Sequence, residues 1–484
     1  MGYRPTTWKL TTVRVWKAMP ISNSPLRLSI GVVIASHLVC VLGCTSESRL
    51  SDPRPVGTIE DVLALKDRED LNVLFLLVDT LRADHLTPYG YERETSPVIG
   101  ELAHTGIRFA QHVSQSSWTK CSMASLWSGL YPARTGVTRA PHVLSEGAKL
   151  PAEIYREAGF RTTGIWRNGW IAPNFGFGQG FESYTQPKPA RVDRPQPHQS
   201  PNKTLAGSDV DILRSTFSFL RSYGRERWFL YLHLMDLHQY VYSPDEALFG
   251  TTYVDIYDNS IRWTDGLIGH LLDELTARGL RENTLIVFAS DHGEAFGDHG
   301  SEGHARDIYG EVTTTPFILS FPFRLEPGLV VDSRTANVDL WQTVLELTGM
   351  PPLEETDGRS RLPEIVATAR GTLLPEPEDT FAMLDQSWGR DREAPAPLVA
   401  VNHGPWRMFH SAARPNQPEL YDKVKDPGEQ NNLAEEKPDL IEELRSVVTD
   451  HLSGPPPYWG GESESIELDD LQINQLRALG YGVQ

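Results

Sequence analysis

The stretch NVLFLLVDTLRADHL, residues 72–86, decides the fold. After Asn72 it runs apolar to Val78 and stops on Asp79. An unbroken run of that length, without alternation, reads as a strand covered on both faces, as in a parallel sheet. Two further segments repeat the pattern. Residues 228–233 (WFLYLH) run into Asp236 and His238 through HLMDLH, and residues 284–289 (TLIVFA) run into Asp291, His292 and Gly293 through SDHGEAFGDHG.

Amphipathic segments at 97–105, 151–158, 210–223, 257–278 and 338–347 alternate with these strands; the second and fourth end at Gly159 and Gly279, apt C-cap residues. The pattern predicts an α/β fold: a large mixed, mostly parallel sheet sandwiched by helices. Residues 185–207, dense in Pro, Gln, Arg and Lys, and residues 351–378 are expected as irregular loops. Strand-like segments at 381–384, 398–402 and 406–410 and a helix at 438–452 predict a smaller C-terminal α+β subdomain. The expected division is a catalytic domain over 67–375 and that subdomain over 376–484.

The chain has 484 residues, 39% apolar, ample for one large core. Its formal net charge is −19, and the first 43 residues hold five cations and no acid, so the remainder is more acidic still. Such a body repels polyanions at long range, which argues against nucleic acid as a partner. The first five cations (Arg4, Lys9, Arg14, Lys17, Arg27) precede an apolar run over 28–43, too short for a confident membrane span and suited to a signal-peptide core. It ends Val41-Leu42-Gly43-Cys44, which resembles the lipobox of bacterial lipoproteins and implies cleavage before Cys44, lipidation of its thiol and a place in the bacterial cell envelope. A start at Met19 would leave a signal of conventional length. Residues 44–66 are expected as a tether. Three cysteines, Cys40, Cys44 and Cys121, make neither a disulfide framework nor a zinc knuckle.

Ligands in open α/β sheets collect beyond the carboxyl ends of strands. Asp79, the pair Asp236 and His238, and the pair Asp291 and His292 all lie there, and oxygen and imidazole donors from separate strands can converge on one divalent cation. Taken singly, each has a plainer reading. An Asp after a strand ordinarily caps the next helix, and a single His is more often a hydrogen-bonded structural residue.

The remaining piece is SWTKCSMASLWSGLYP, residues 117–132. It resembles the nucleophile motif of the sulfatase family within the alkaline phosphatase superfamily, and counting back from Gly129 places the nucleophile at Thr119. Other matches follow in family order: NVLFLLVDTLRADHLTPYGY, AGFRTTG, FGFGQGF, HLMDLH, SDHGEAFGDHG, ELYDKVKDPGEQNNLA and the tail QLRALGYG. The resemblance runs from about residue 71 to the C-terminus and implies an alkaline phosphatase-like fold. It implies one divalent metal on Asp79, Thr119, Asp291 and His292: calcium as in most sulfatases, with manganese or zinc as alternatives suited to a threonine nucleophile. It implies that His238 serves the leaving group, that His304 lies by the transferred group, and that Arg167, with Asn168, contacts substrate. Asp236 is weighed as a ligand to a second metal.

Two departures stand out. Sulfatases convert a Cys or Ser to formylglycine, whereas oxidised threonine would be a ketone. Cys121 imitates that position, but its +2 and +4 residues are Met123 and Ser125 instead of Pro and Arg. Counted from Thr119, the motif arginine is replaced by Met123 and the proline by Cys121. Thr119 is also readable as a simple N-cap of a helix beginning at Cys121. The expected activity is metal-dependent hydrolysis of a sulfate or phosphate ester on a small molecule, glycan or lipid, through a covalent intermediate on Thr119. A transferase moving a phosphoryl head group onto a surface glycan or lipid and an inert binding lipoprotein of the same fold are the alternatives.

Overall fold

A computed structural model describes residues 52–189, 207–390, 392–460, 463–468 and Ile473. The expected export signal, the lipidation site at Cys44, the 190–206 portion of the Pro/Gln loop and the QLRALGYG tail lie outside the described residues.

Eight strands make the principal sheet: β1 (Asn72–Val78), β2 (Ile107–Val113), β3 (Arg161–Ile165), β4 (Ser183–Thr185), β5 (Trp228–Leu234), β6 (Thr284–Ala289), β7 (Phe317–Ser320) and β8 (Leu329–Ala336). Their spatial order is β8-β2-β7-β6-β1-β5-β3-β4. Neighbours are parallel except at β7, which runs antiparallel to both β2 and β6. The three strands legible in the sequence are the central three, with β1 between β5 and β6. Polar residues hide the others: β2 carries Arg108, Gln111 and His112, and β3 is largely Arg and Thr.

The principal helices are α1 (Pro97–His104), α2 (Thr119–Ser128), α3 (Pro151–Glu157), α4 (Asp209–Tyr223), α5 (Tyr253–Ala277), α6 (Asn337–Leu347), α7 (Leu362–Arg370) and α8 (Pro438–Leu452). Alternate strand residues divide the core into two layers, as a pleat of period two requires. Val73, Phe75 and Leu77 join Phe229, Tyr231, Leu285 and Val287 against α2, α3 and α6. Leu74, Leu76 and Val78 join Leu230, Leu232, Ile286 and Phe288 against α1, α4 and α5. All ten residues of α2 are buried. The helix stops at Gly129, whose φ of 70° needs glycine and where a Cβ would sit 2.8 Å from Thr356.

A second, antiparallel sheet of β9 (Thr380–Asp385), β10 (Pro397–His403), β11 (Trp406–Ser411) and β12 (Glu419–Asp422) packs against α8 through Val399, Val401, Met408, Leu444 and Val448. This is the predicted C-terminal α+β unit.

Two expectations are corrected. The stretch 351–378 contains α7, with Pro363 in its first turn and Ile365 buried, so its proline marks a helix start and not a loop. The tether expected over 44–66 is, from Asp52 onward, docked structure. Arg54 is buried and donates to Ser320 Oγ and to the carbonyls of Phe321 and Phe323, and Val56–Gly57 pairs with Arg324–Leu325.

Trp127 of α2 stands at the centre of the first layer. Its ring lies 5.1 Å from Trp341 in a stack, 5.0 Å from Tyr231 and 5.5 Å from Phe75 in edge contacts. Trp127→Ala is expected to lower the unfolding free energy by about 3–5 kcal/mol in urea titrations, against less than about 0.5 kcal/mol for Leu373→Ala on the surface. Similar midpoints for both variants would show that this cluster does not anchor the core.

Candidate active site

The register of the central strands puts the chemistry together. Leu77 of β1 pairs with Ala289 of β6 on one side and His233 of β5 on the other. Two residues on from Leu77 is Asp79, and two on from Ala289 is Asp291. The two carboxylates therefore emerge side by side at the carboxyl edge. Both are completely buried.

Asp79 Oδ2 accepts from Asn168 Nδ2 (2.7 Å) and from His233 Nε2 (2.8 Å), and Tyr231 supplies its hydroxyl to the other ring nitrogen of His233 at 2.6 Å. Asp291 Oδ1 accepts from the backbone N–H groups of His292 (2.9 Å) and Thr80 (3.3 Å). The remaining oxygens, Asp79 Oδ1 and Asp291 Oδ2, are buried and have no hydrogen-bond partner. His292 donates from Nδ1 to the carbonyl of Gly293 (2.9 Å), which leaves a lone pair on Nε2, and that nitrogen lies 3.1 Å from Thr119 Oγ1. Ligating atoms of Asp79, Asp291 and His292 all fall within 4.8 Å of one another.

Thr119 is the first residue of α2 and Trp118 is its N-cap, so the N-cap reading of Thr119 is overturned. Its hydroxyl turns to His292 and to Asn168 Nδ2 (3.2 Å) instead of to the helix backbone. The N–H groups of the first turn of α2 add a positive end to the same place. Two contacts hold the helix here: Ser122 donates to the Asp291 carbonyl (2.6 Å), and the Ala305 N–H donates to the Ser117 carbonyl (2.8 Å). Cys121, one step round the helix, faces Met383 under the C-terminal sheet, and burial pushes its thiol up to about 12. It is inert packing.

His304 and His238 line up beyond His292, with ring centroids 4.7 Å (His292–His304) and 4.9 Å (His238–His304) apart. Burial alone would lower His304, but the Glu294 carboxylate on its Nδ1 (3.1 Å) wins and raises it. His238 is brought down to about 4 by burial. Asp79, despite burial, is held low by the His233 hydrogen bond and nearby imidazoles, whereas Asp291 is raised by burial and by the charge of Asp79.

The structure thus brings Asp79, Thr119, Asp291 and His292 together, with His304 and His238 alongside. Arg167 is buried in a different set of contacts: it donates to Asp236 (2.7 Å), Asp209 (3.1 Å), the Gly207 carbonyl and Gln239. The other oxygen of Asp236 accepts from Trp263 Nε1 (3.0 Å), so both its oxygens are engaged and the second-metal reading of Asp236 is corrected. Asn168, ranked behind Arg167 from sequence, bridges Asp79 and Thr119. His233 and Glu294 were missed. The parity of β5 would have placed His233 beside Asp79 once its pairing with β1 was known, and no local pattern marks Glu294.

Two orphaned, fully buried carboxylate oxygens beside an imidazole lone pair and a hydroxyl fit a divalent cation, which neutralises the paired charge and fills the missing contacts.

A mostly parallel sheet gathers carboxylates, an imidazole and a hydroxyl at its carboxyl edge, an arrangement shared with hydrolases of the alkaline phosphatase-like fold. Residues 71–350 match the family model described as Sulfatase, and residues 297–453 match that of the N-sulphoglucosamine sulphohydrolase C-terminal region. The chain belongs to the sulfatase family. It is 23% identical to an N-acetylgalactosamine-6-O-sulfatase of Bacteroides thetaiotaomicron over 78% of this chain and 92% of that one. It is 34% identical to a choline-sulfatase of Rhizobium meliloti over 37% of this chain and 32% of the relative. The fold is shared with the phosphonate monoester hydrolase of Agrobacterium radiobacter, with a TM-score of 0.63, 19% identity, and coverage of 79% of this chain and 96% of that one.

Stripping the protein with a chelator and titrating back a divalent cation is expected to raise its melting temperature by several degrees, the linkage expected when a ligand binds the native state alone. Asp79→Ala should abolish that response. An identical cation-dependent shift in the variant would place the cation elsewhere.

Proposed function

We propose that the protein hydrolyses a sulfate ester carried on a small molecule or glycan, using Thr119 as nucleophile and passing through a covalent threonine sulfate. The observation that carries this reading is the position of Thr119 Oγ1, in contact with both His292 and Asn168, while Cys121 packs away from the site. The sulfate-ester specificities named for the relatives support the substrate class. Asp79, Asp291, His292 and Thr119 would hold one divalent cation, which lowers the pKa of a bound hydroxyl and offsets charge on ester oxygens. Three oxygen donors to one nitrogen favour a hard ion, and we assign calcium.

The residues then divide the work. Asn168 fixes the Thr119 hydroxyl against Asp79, and the N-terminus of α2 receives the anionic group. Thr119 Oγ1, its proton released to solvent, attacks sulfur as the sulfur–oxygen bond to the leaving group breaks opposite it, the bonding pair leaving on that oxygen. The departing oxygen takes a proton from the His238–His304 pair, which Glu294 anchors through His304. Water then attacks the threonine sulfate at sulfur, releasing sulfate and restoring the hydroxyl. Arg167 acts as a positioning residue, tying the strand end that bears Asp236 and His238 to Asp209. The signal-like N-terminus and Cys44 belong to the same reading: an exported enzyme held at the membrane by lipid.

Thr119→Ala is expected to lower kcat/KM on sulfate esters by about 10³-fold or more, while Thr119→Ser stays within about 30-fold of wild type. A parallel panel of sulfate monoester, phosphate diester and phosphonate monoester tests the substrate class. An unchanged rate in Thr119→Ala removes the nucleophile, and wild-type preference for a phosphorus ester replaces sulfate with phosphoryl chemistry.

A further inference from the structure

Beside the catalytic row lies a group of aromatic rings that the reaction itself does not use. Tyr240 follows His238 by two residues, and Phe296 follows Glu294 by two in a short hairpin, Ala295–Phe296 paired with Glu302–Gly303, whose second arm leads directly into His304. Tyr253 begins α5. The hydroxyls of Tyr240 and Tyr253 share a hydrogen bond of 2.8 Å, and their rings lie 5.1 Å apart. Phe296 meets Tyr253 edge to face at 5.3 Å. The charge of Glu294, the carboxylate that holds His304, is felt by both Tyr240 and Tyr253, so the cluster adjoins the catalytic loop.

Three features distinguish this group from core. Tyr253 is 42% exposed, and Tyr240 and Phe296 are half-buried. The rings are nevertheless held rigidly, because Phe296 rests on buried Tyr257 (4.8 Å) and His85 (5.7 Å). Tyr240 also keeps a φ of 53°, the left-handed region that a tyrosine rarely adopts and that accumulates at ligand sites. A strained residue displaying a ring to solvent at the edge of an active site is what a substrate platform requires.

We propose that Tyr240, Tyr253 and Phe296 form the platform on which the ring of a pyranosyl sulfate ester stacks, an inference that rests on the sulfate-ester reading above. The negative faces of the aromatic rings suit the weakly positive C–H face of a sugar. The Tyr240–Tyr253 hydroxyl pair, which can shift its shared proton, offers both a donor and an acceptor to ring hydroxyls. The Arg82 guanidinium lies 5.5 Å over the Phe296 ring, so Phe296 backs the platform while the exposed Tyr253 ring carries the stack.

The test compares a 6-O-sulfated N-acetylhexosamine with ethyl sulfate, which has no ring. Wild type is expected to favour the sugar, and Tyr253→Ala or Phe296→Ala should cut the ratio of kcat/KM for sugar over ethyl sulfate about tenfold, mainly through KM. A ratio that does not move, or a wild type without preference for the ring, overturns the platform. Turnover of neither substrate by wild type would instead sink the hydrolase reading. The platform is then judged by calorimetric binding of the sulfated sugar to Thr119→Ala. Adding Tyr253→Ala should weaken Kd about tenfold, and an unchanged Kd overturns it.

Discussion

The molecule is organised around a repulsion. Asp79 and Asp291 are completely buried, adjacent, and each left with one oxygen that no protein group satisfies. Burying one such charge is expensive and burying two together more so, unless a counter-charge is supplied. The central strands impose the arrangement, because the Leu77–Ala289 register sends both carboxylates out on the same face two residues later. The Tyr231–His233 relay and Asn168 then satisfy one side of Asp79 and orient the other toward Asp291 and His292. A divalent cation fits such a pair of unpartnered oxygens beside the His292 imidazole.

Holding that arrangement strains the backbone at specific points. Among the described residues five other than glycine have positive φ, and three of these adjoin the site: Thr80 after Asp79, Tyr240 after His238, and Ala305 after His304. Thr80 and Ala305 are pinned from outside. Tyr257 donates to the Thr80 carbonyl at 2.7 Å and accepts the Arg82 N–H, and the Ala305 N–H reaches Ser117 while its carbonyl accepts from Trp388. The Trp388 ring in turn stacks on Trp118 at 4.5 Å. The C-terminal unit is thereby part of the frame of the candidate site, since the loop after β9 braces both the turn bearing His304 and the residue capping α2.

How far the sequence discloses this depends on what each residue's signal consists of. The three central strands were legible because strands buried on both faces read as continuous apolar runs, and their terminal Asp and His residues were legible as departures from those runs. Strands β2 and β3 carry polar residues whose place is set by tertiary pairing, so periodicity passed over them. Helix α7 was hidden by Pro363, which marks a helix start only when its neighbours are known to be helical. Within the site, residues defined by motif were found, whereas His233 and Glu294 act through partners distant in the chain. Arg167 and Asn168 show the same limit: adjacent residues on one turn, they face opposite environments, and only the fold tells which reaches the hydroxyl.

The missing motif arginine has a structural consequence. Its place is taken by Met123, which is fully buried among the first-layer residues, and the motif proline by Cys121, packed beneath β9. This flank of α2 is apolar core. The Thr119 hydroxyl is held by a neutral amide and an imidazole. An anionic substrate approaching two carboxylates in an acidic protein must find its compensating charge elsewhere. The groups in place to provide it are the N–H groups opening α2 and the Glu294-backed imidazole of His304.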